Sequence, residues 1–308
     1  MKVSVIITTY NHPAWLERVI WGYEIQTYRH FELVIADDGS DERTHETIDR
    51  LRARCPLTIH HIWQEDRGFR KCQILNQAIR KASCPYLLFT DGDCLPRQDF
   101  LAKHVALAEP GRFLSGGVVR LPKQLSQRIN QESIQTGDAF DGNWLRHRGL
   151  GWNRKLLRLT RNEQIARYMD QITPTRPTFN GHNVSAWRAD VVKINGFNEE
   201  MKYGGLDREL GERLVNSGIY GKQIRHRAVA VHLFHRRDYV TRESWKTNNA
   251  IRARTRRSQL KWTEQGLNPT APQIVPSSQG IDRPNDTQPM QNLGQPPQTR
   301  PRHPPMSA

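Results

Sequence analysis

Two aspartates in the triplet Asp91-Gly92-Asp93 are the residues of this sequence that most directly suggest chemistry. They follow residues 86–90, an apolar run short enough to be a buried strand. Two carboxylates one residue apart at the carboxyl end of a strand can face a cleft and bind a hard divalent cation. Such cations are usually held by one or two carboxylates together with the oxygens of a bound phosphate. The triplet therefore suggests a metal-bridged diphosphate and a nucleotide-sugar transferase, although Asp-Gly-Asp is also ordinary turn chemistry.

Strand and helix patterns alternate over the first hundred residues. Four apolar runs have the length of buried strands, and they are residues 3–8, 31–36, 57–63 and 86–90. Amphipathic helical patterns separate these runs, so βαβ crossovers and a largely parallel, doubly wound sheet are predicted. In such sheets, ligands bind outside the carboxyl ends of the strands. Both acidic clusters, Asp37-Asp38 and Asp91-Gly92-Asp93, fall at predicted strand ends.

The glycine-rich loops that commonly hold phosphates are absent from the sequence. No G-x-G-x-x-G follows the first strand, and no G-x-x-x-x-G-K-[ST] occurs anywhere. A metal ion could hold the phosphates instead. Beyond the first four strands the patterns predict a helix over residues 68–82, a helix over 97–108 and a strand over 113–119. Residues 120–177 are polar and basic and have no clear periodicity.

Length and composition predict a chain with a sizeable core. It has 308 residues, 36% of them hydrophobic, and no run approaches the length of about 20 apolar residues that spans a bilayer. The first ten residues are more strand-like than a secretory signal, so we expect a cytoplasmic protein. Four cysteines, at positions 55, 72, 84 and 94, lack zinc-site or disulfide spacing. We therefore expect reduced, buried thiols.

The formal net charge of +15 predicts a polyanionic partner or surface. Basic residues are dense in residues 146–158 and 236–261. Charges cancel from Thr263 onward, and past Leu267 the chain is rich in proline and glutamine. Such a composition buries too little apolar surface to offset its ordering entropy. Residues 263–308 are therefore predicted to be a disordered tail.

A series of motifs in a fixed order carries a family resemblance over about residues 1–240. The motifs of the first half are Val5-Ile6-Ile7-Thr8-Thr9-Tyr10-Asn11, Val34-Ile35-Ala36-Asp37-Asp38-Gly39-Ser40, Glu65-Asp66-Arg67-Gly68 and Thr90-Asp91-Gly92-Asp93. Those of the second half are Phe179-Asn180-Gly181-His182-Asn183, Asn195-Gly196-Phe197-Asn198-Glu199 and Tyr203-Gly204-Gly205-Leu206-Asp207. The sequence resembles family 2 inverting glycosyltransferases of the GT-A fold, with a second half similar to chondroitin-polymerase modules and β-1,4-galactosyltransferases.

The resemblance implies a GT-A type α/β fold: a doubly wound, mostly parallel, Rossmann-like sheet in which a smaller half binds the acceptor. Residues 1–120 would be the nucleotide-sugar-binding half. Residues 121–262 would be the acceptor-binding, galactosyltransferase-like half of the same domain, and residues 263–308 the tail.

Most implied donor contacts lie in the first half. The resemblance assigns the donor nucleotide to Thr8, Thr9, Tyr10, Asp37, Asp38, Asp66, Arg67, Lys71 and Asp91. One acid of the Asp37-Asp38 pair would bind uracil or ribose, although Asp38 could instead cap the next helix. Arg67 and Lys71 would meet the base and diphosphate, or simply form a solvated helix face. Asp91 would touch the ribose or a metal-bound water.

The resemblance also implies a metal site. Asp93 would bind the ion directly, and a histidine beyond the acceptor region would complete the coordination. His232 matches this position best, and His235 is the second choice. Because an imidazole beside carboxylates suits Mn²⁺ somewhat better than Mg²⁺, manganese is favoured and magnesium stays open.

Asp207 is the candidate general base. A helix is predicted to begin near it, and the positive helix end is expected to keep its pKa low. The alternative is a helix cap without catalysis. Gly204 and Gly205 would let the backbone pass close to the sugars. Asn180, His182 and Asn183 are expected to shape the sugar pocket or only to form a turn. Leu206 stands where relatives usually carry glutamate, so the acceptor is not predicted by analogy.

The predicted function is a metal-dependent inverting glycosyltransferase. It would move a hexose or N-acetylhexosamine from a UDP-sugar to a glycan, or to a lipid-linked or phosphorylated acceptor, in the synthesis of surface polysaccharide or lipopolysaccharide. The basic segment with Trp245 and Trp262 could contact the anionic inner face of a membrane, or could be a solvated helix. Alternatives are a nucleotidyltransferase of the same fold class and a non-catalytic nucleic-acid-binding protein. Nucleic acid is disfavoured, because acidic clusters repel its phosphates.

Overall fold

The computed structural model describes residues 1–236 and 241–268. The strands of this part are β1 (Val3–Thr9), β2 (Phe31–Asp37), β3 (Ile59–Trp63), β4 (Tyr86–Asp91), β5 (Cys94–Pro96), β6 (Arg112–Ser115), β7 (Gly117–Arg120), β8 (Asn183–Trp187), β9 (Tyr220–Gln223) and β10 (Val229–His232). Its α-helices are α1 (Pro13–Glu24), α2 (Glu42–Arg54), α3 (Lys71–Lys81), α4 (Phe100–Leu107), α5 (Lys123–Arg128), α6 (Gln131–Gln135), α7 (Gly142–His147), α8 (Glu163–Ile172), α9 (Arg188–Lys193), α10 (Leu206–Asn216) and α11 (Arg242–Arg257). Short 3₁₀ helices lie at Asp138–Phe140 and Arg154–Leu159.

Among the described residues, seven strands form one sheet in the order β3-β2-β1-β4-β8-β6-β9. β1 pairs in parallel with β2 and β4, and β2 pairs in parallel with β3. β8 is antiparallel to β4 and β6, and β9 is parallel to β6. A smaller sheet has the order β5-β10-β7. The predicted α/β fold with a mostly parallel, doubly wound sheet is confirmed.

Both faces of the large sheet are buried, because successive residues of its strands point to opposite sides. Val5 and Ile7 of β1 pack in the cluster that contains Leu16 of α1. Ile6, between them, packs in the cluster that contains Leu75 of α3. Each buried aliphatic side chain of this kind contributes about 1.5–3 kcal/mol. The layers thus hold the strands rigidly and leave only their ends for chemistry.

The register brings the carboxyl ends of three strands to the same level. Thr9 of β1 lies opposite Asp37 of β2, and Thr8 of β1 lies opposite Asp91 of β4. The two predicted acidic clusters therefore meet at one edge of the sheet, on either side of β1.

Several element boundaries differ from the sequence-based expectation. The strand predicted over residues 113–119 is two strands that separate at Gly116 and join different sheets. At Gly116 a Cβ atom would lie 2.1 Å from the side-chain oxygen of Asn183, so only glycine allows this approach. The helix predicted from residue 68 begins at Lys71, since Gly68 has a φ of +80°. The third strand begins at Ile59, and the helix predicted over residues 97–108 is Phe100–Leu107.

The region after residue 120, which has no clear periodicity, folds into short helices beside the smaller sheet. Leu125, Ile134 and Leu145 of these helices pack with Val231 of β10 in a cluster of their own. Within the part of the chain that the structure describes, no helix combines the length and the apolar character needed to cross a membrane.

The predicted boundary of the disordered tail is wrong for residues 263–268. Leu267 is buried in the cluster on the α3 side of the sheet. Its backbone N–H donates to the carbonyl of Asn195 at 2.9 Å, and Arg80 donates to its carbonyl at 2.6 Å. Hydrogen bonds to the backbone of Leu267 and the burial of its side chain hold this short segment against the folded domain. The rest of the predicted tail, residues 269–308, lies outside the described residues.

The Leu267 contact predicts a measurable loss of stability. Because Leu267 is 5% exposed, Leu267→Ala should reduce the free energy of unfolding by about 2–4 kcal/mol. Leu157→Ala is the matched control, since Leu157 is 54% exposed and should change it by no more than about 0.5 kcal/mol. Urea denaturation monitored by circular dichroism measures both, and equal effects would contradict the packing of this segment.

Candidate active site

A cleft of about 1070 Å³ lies at the carboxyl ends of the parallel strands. The predicted site residues that line it are Thr8, Thr9, Tyr10, Asp38, Asp66, Lys71, Asp91, Asp93, Asn180, His182, Gly204, Gly205, Asp207, His232 and His235. These residues come from distant parts of the chain, and the fold brings them to one surface. Asp37, Arg67 and Asn183 do not line the cleft.

Asp91 is held as a carboxylate in the floor of the cleft. Lys71 donates to its Oδ1 at 2.6 Å, and the hydroxyl of Thr8 donates to the same oxygen at 2.7 Å. Burial opposes ionisation, but the charge of Lys71 and these hydrogen bonds outweigh it and lower the pKa of Asp91 to about 2. Lys71 and Asp91 therefore neutralise one another within the cleft.

Asp38 and Asp66 form one end of the cleft. The carboxylate of Asp38 accepts from the side chain of Gln64 at 2.6 Å and from the backbone N–H of Arg70 at 3.0 Å. Burial nevertheless raises the pKa of Asp38 to about 6. Asp66 accepts from the hydroxyl of Tyr10 at 2.8 Å. These groups offer acceptors suited to a nucleobase or ribose.

Asp37 lies behind the cleft, although it was predicted beside Asp38 as a donor contact. It is fully buried, accepts from the backbone N–H of Ser40 at 2.8 Å and lies 3.0 Å from Nε2 of His61. The cap of α2 is Asp41, which accepts from the backbone N–H of Thr44 at 3.4 Å. The alternative that Asp38 caps this helix is therefore wrong.

Arg67 and Asn183 also lie away from the cleft surface. The guanidinium of Arg67 is largely exposed and pairs with Glu65 at 2.6 Å. Asn183 is fully buried and donates to the carbonyls of Gly117 at 2.8 Å and Ala228 at 3.1 Å. Its role is to join the two sheets beneath the cleft. His182, the preceding residue, lines the cleft, and burial lowers its pKa to about 4.

A carboxylate and two imidazoles converge in the cleft. Nε2 of His235 lies 3.1 Å from Oδ2 of Asp93, and Nε2 of His232 lies 3.7 Å from Oδ1. The two rings stack with centroids 5.3 Å apart. The ligand atoms of Asp93, Cys94 and His232 lie within 4.8 Å of one another. Burial holds the pKa of Cys94 well above its usual range, so the thiol stays protonated.

This donor set fits a divalent ion of the manganese or magnesium class, because carboxylate oxygen suits both and imidazole favours manganese. Asp93 is fixed by its backbone, whose carbonyl accepts from the N–H of Leu233 at 2.8 Å. The strand that carries His232 is thereby tied to the loop that carries Asp93. Both predicted histidines reach the aspartate, and His235 is the nearer.

Asp207 lines the cleft and lies in the first turn of α10. The residue that caps this helix is Gly205, so Asp207 is not the cap. In the described structure, its buried Oδ1 has no hydrogen-bond partner. Burial raises the pKa of Asp207 to about 6, and the charge of Lys71 opposes this only in part. The expectation of a low pKa from the helix end is wrong, because burial outweighs the helix dipole.

Gly181 makes room for the Asp207 carboxylate, a contact that the sequence analysis missed. A Cβ atom at Gly181 would lie 2.4 Å from Oδ1 of Asp207, and the φ of Gly181 is +60°. No side chain can occupy this position without displacing the carboxylate. The Asn180-Gly181-His182 turn hints at such an approach, but the sequence does not identify its target.

Trp245 of α11 was considered a membrane contact but lines the cleft. Its ring lies 2.9 Å from the position that a Cβ atom of Gly204 would take. The rings of Trp245 and Tyr203 pack edge to face, with their centroids 6.1 Å apart. His12, which the sequence analysis also missed, lines the cleft 6.0 Å from the ring of His235. Its only sequence signal is its place between the first strand and Pro13.

The fold is shared with solved glycosyltransferases. A mannosyltransferase from Pyrobaculum calidifontis, in complex with GDP-Man and Mn²⁺, aligns with a TM-score of 0.53 and 22% identity over 84% of this chain and 62% of that one. S. aureus TarS residues 1–349, in complex with UDP, aligns with a TM-score of 0.55 and 17% identity over 82% of this chain and 64% of that one. These similarities confirm the predicted GT-A type fold.

Characterised relatives are similar over most of this chain. Chondroitin synthase of Escherichia coli is 28% identical over 72% of this chain and 33% of its own length. Validoxylamine A glucosyltransferase of Streptomyces hygroscopicus subsp. jinggangensis is 30% identical over 70% of this chain and 52% of its own length. The chain thus matches a third to about half of the length of these relatives.

Family models cover the chain in two consecutive parts. Residues 167–236 match the model described as the N-terminal domain of galactosyltransferase. Residues 4–166 match the model of glycosyl transferase family 2. Since that match spans more than half of the chain and includes the strand ends that form the cleft, the protein belongs to glycosyl transferase family 2.

Proposed function

We propose that this protein is a metal-dependent inverting glycosyltransferase that moves a hexose or N-acetylhexosamine from a UDP-sugar to a glycan or lipid-linked acceptor. The observation that carries the proposal is that one cleft contains both a set of metal ligands and a carboxylate with a raised pKa. Asp93, His232 and His235 form a donor set for a divalent ion, and Asp207, with a raised pKa, lines the same cleft. One group serves a leaving diphosphate and the other an attacking hydroxyl.

The donor would lie along the strand ends. Asp38 and Asp66 offer acceptors to the uracil and ribose, while Thr8, Thr9 and Tyr10 form the wall beside them. Similar folds bind nucleotide sugars, as TarS in complex with UDP-GlcNAc and the mannosyltransferase in complex with GDP-Man illustrate. Uridine is proposed from the sequence resemblance.

Asp93, His232 and His235 would hold Mn²⁺ or Mg²⁺. The mannosyltransferase of similar fold contains Mn²⁺. When bound, the ion would neutralise the charge that develops on the departing diphosphate. Lys71 adds a protein cation to the same region, and its ion pair with Asp91 holds it in place.

Asp207 would act as the general base. A carboxylate oxygen takes the proton of the acceptor hydroxyl, the hydroxyl oxygen bonds to the anomeric carbon, and the bond to UDP breaks in the same in-line displacement. The anomeric configuration is inverted by this single step. General bases of this kind contribute about 10²–10⁴-fold. A pKa of about 6 leaves the carboxylate mostly ionised at neutral pH and more basic than an exposed aspartate.

The relatives also suggest the class of acceptor. An acceptor in surface polysaccharide or lipopolysaccharide synthesis is consistent with the relatives, of which one is named chondroitin synthase. Contact of residues 236–261 with an anionic membrane stays a prediction, as does the cytoplasmic location. Two cations of α11, Arg252 and Arg256, form ion pairs with Glu212 at 2.6 and 2.9 Å, so their charges are partly neutralised within the protein. No observation favours nucleic-acid binding or nucleotidyl transfer.

Donor turnover tests the proposal directly. We expect the purified protein to release UDP slowly from one of UDP-Gal, UDP-Glc, UDP-GalNAc or UDP-GlcNAc with Mn²⁺ and not with EDTA. Asp93→Ala should lose about 10²-fold or more, since it removes a metal ligand. The matched control is Asp49→Ala on the surface of α2, where 69% of the side chain is exposed; it should retain wild-type turnover. Absence of release from every donor would contradict a uridine-linked transferase.

The pH dependence tests the base. Because only the ionised Asp207 accepts a proton, kcat/KM for transfer should rise about tenfold per pH unit below about pH 6 and level off above it. Asp38 also has a pKa of about 6, so Asp38→Asn is the necessary comparison. This variant should keep the same pH profile. Disappearance of the rise in Asp38→Asn would assign the titration to Asp38 and not to Asp207.

The raised pKa of Asp207 predicts that the base reduces stability. Burial makes the carboxyl group of Asp207 bind its proton more tightly in the folded protein than in the unfolded chain. The free energy of unfolding of the protein should therefore fall as the pH rises from about 4 to 6. Asp207→Asn should therefore unfold with a free energy about 1–3 kcal/mol higher than wild type at pH 7.5, and the gain should vanish near pH 4. Denaturation at both pH values measures it. A variant less stable than wild type at pH 7.5 would show that burial does not set this pKa.

A further inference from the structure

A second cavity, of about 360 Å³, lies beside the cleft at Asp207. We call it the side cavity. The residues that line both it and the cleft are Arg120, Asn180, His182, Gly205, Asp207 and Trp245. Its basic residues are Arg120, Lys155, Arg158, Arg208 and Arg225. The proposed base therefore stands at the junction of the two spaces.

The cations of the side cavity come from separate parts of the fold. Arg120 ends β7, and Arg208 lies in the first turn of α10. Lys155 and Arg158 belong to the 3₁₀ helix Arg154–Leu159, and Arg225 follows β9. Their convergence is a property of the tertiary structure and not of a basic run in the sequence.

The carboxylates that line the side cavity do not balance the charge of these five cations. Among the residues that line the side cavity, Asp207 is the one carboxylate. Other arginines have partners, such as Arg227 with Asp170 at 2.8 Å and Arg97 with Asp99 at 2.6 Å. Within residues 1–236 and 241–268, none of the five cations of the side cavity forms an ion pair.

Two of the arginines are partly withdrawn from solvent. In the described structure, the buried Nε of Arg225 has no hydrogen-bond partner. Arg158 is held by a hydrogen bond from its Nη1 to the carbonyl of Val118 at 2.7 Å. Burial lowers the pKa of Arg158, and the charges of Arg225 and Arg120 lower it further. Crowded, partly desolvated cations of this kind are stabilised by an anion.

We propose that the side cavity binds an anionic group of the acceptor, a carboxylate or a phosphate, while the acceptor hydroxyl faces Asp207. The planar guanidinium groups of Arg158 and Arg225 match the paired oxygens of either anion. The inference rests on the proposed function, since it names the chemical class of the acceptor for that reaction. The acceptor chain would pass Trp245, which borders both spaces.

Binding measurements test this without knowledge of the acceptor sugar. The protein is saturated with UDP and Mn²⁺, so that the donor site is filled, and titrated calorimetrically at constant ionic strength. The three probes are inorganic phosphate, methyl β-D-glucuronide and the neutral methyl β-D-glucoside. We expect phosphate or the glucuronide to bind at least about tenfold more tightly than the glucoside. Which anion binds more tightly distinguishes a phosphorylated acceptor from a uronic acid.

Variants assign the binding to the side cavity. Arg158 and Arg225 line the side cavity and not the cleft. The double variant Arg158→Gln/Arg225→Gln should bind the preferred anion about tenfold more weakly or worse. Arg43→Gln, an exposed cation on α2, is the matched control and should bind it as wild type does. If thermal melting shows that the double variant is unfolded, Arg208→Gln, at an exposed position, replaces it.

The outcomes separate this inference from the proposed function. Failure of UDP to bind the wild-type protein would count against the proposed function, and the anions are then titrated without nucleotide. The anionic subsite is overturned if neither anion binds more tightly than the glucoside, or if the folded side-cavity variant binds the anion as tightly as Arg43→Gln.

Discussion

Both acidic loops of the cleft are fixed to the last carbonyl groups of β1. The backbone N–H of Asp38 donates to the carbonyl of Thr9 at 3.1 Å, and that of Gly92 donates to the carbonyl of Thr8 at 2.7 Å. Parallel pairing on both sides of β1 makes this possible, because β2 and β4 then leave the sheet at the same edge. A shift in either register would separate the loops, and Asp38 and Asp91 would no longer line the same cleft.

The cleft holds acids of two kinds, and the difference lies in their neighbours. Asp91 faces Lys71 and stays ionised with a pKa of about 2. Asp38 and Asp207 have pKa values raised by burial to about 6. Acids whose environments push their pKa values apart are suited to different tasks. A carboxylate in a close ion pair contributes fixed charge, whereas a carboxylate whose burial outweighs the nearby cations can exchange a proton near neutral pH.

Features that depend on neighbouring residues could be predicted from the sequence. Apolar runs and helical periodicity predict the parallel strands, and the residues at strand ends, such as Thr8 and Asp91, line the cleft as expected. Features that depend on contacts between distant segments could not be predicted. Asp37 and Asp38 are adjacent and chemically alike, yet successive side chains point in opposite directions, so that Asp37 is buried in the core and Asp38 lines the cleft. The separation of β6 and β7 depends on Asn183, and the burial of Leu267 depends on Asn195 and Arg80, all of which are far away in sequence.

The part of the cleft around Asp207 is built by close approach at glycines. All three glycines of this region have positive φ angles. A Cβ atom on Gly181 would lie 2.4 Å from Oδ1 of Asp207, and one on Gly204 would lie 2.9 Å from the ring of Trp245. A Cβ atom on Gly205 would lie 3.1 Å from Cδ of Arg252. Backbone packed this tightly excludes water from one carboxylate oxygen of Asp207 without offering it a hydrogen bond. The raised pKa of Asp207 thus follows first from burial by close packing, while the charge of Lys71 lowers it and the charge of Asp91 raises it. Of the residues that line the side cavity, Asp207 is the one carboxylate, so the other charges that line this space are positive.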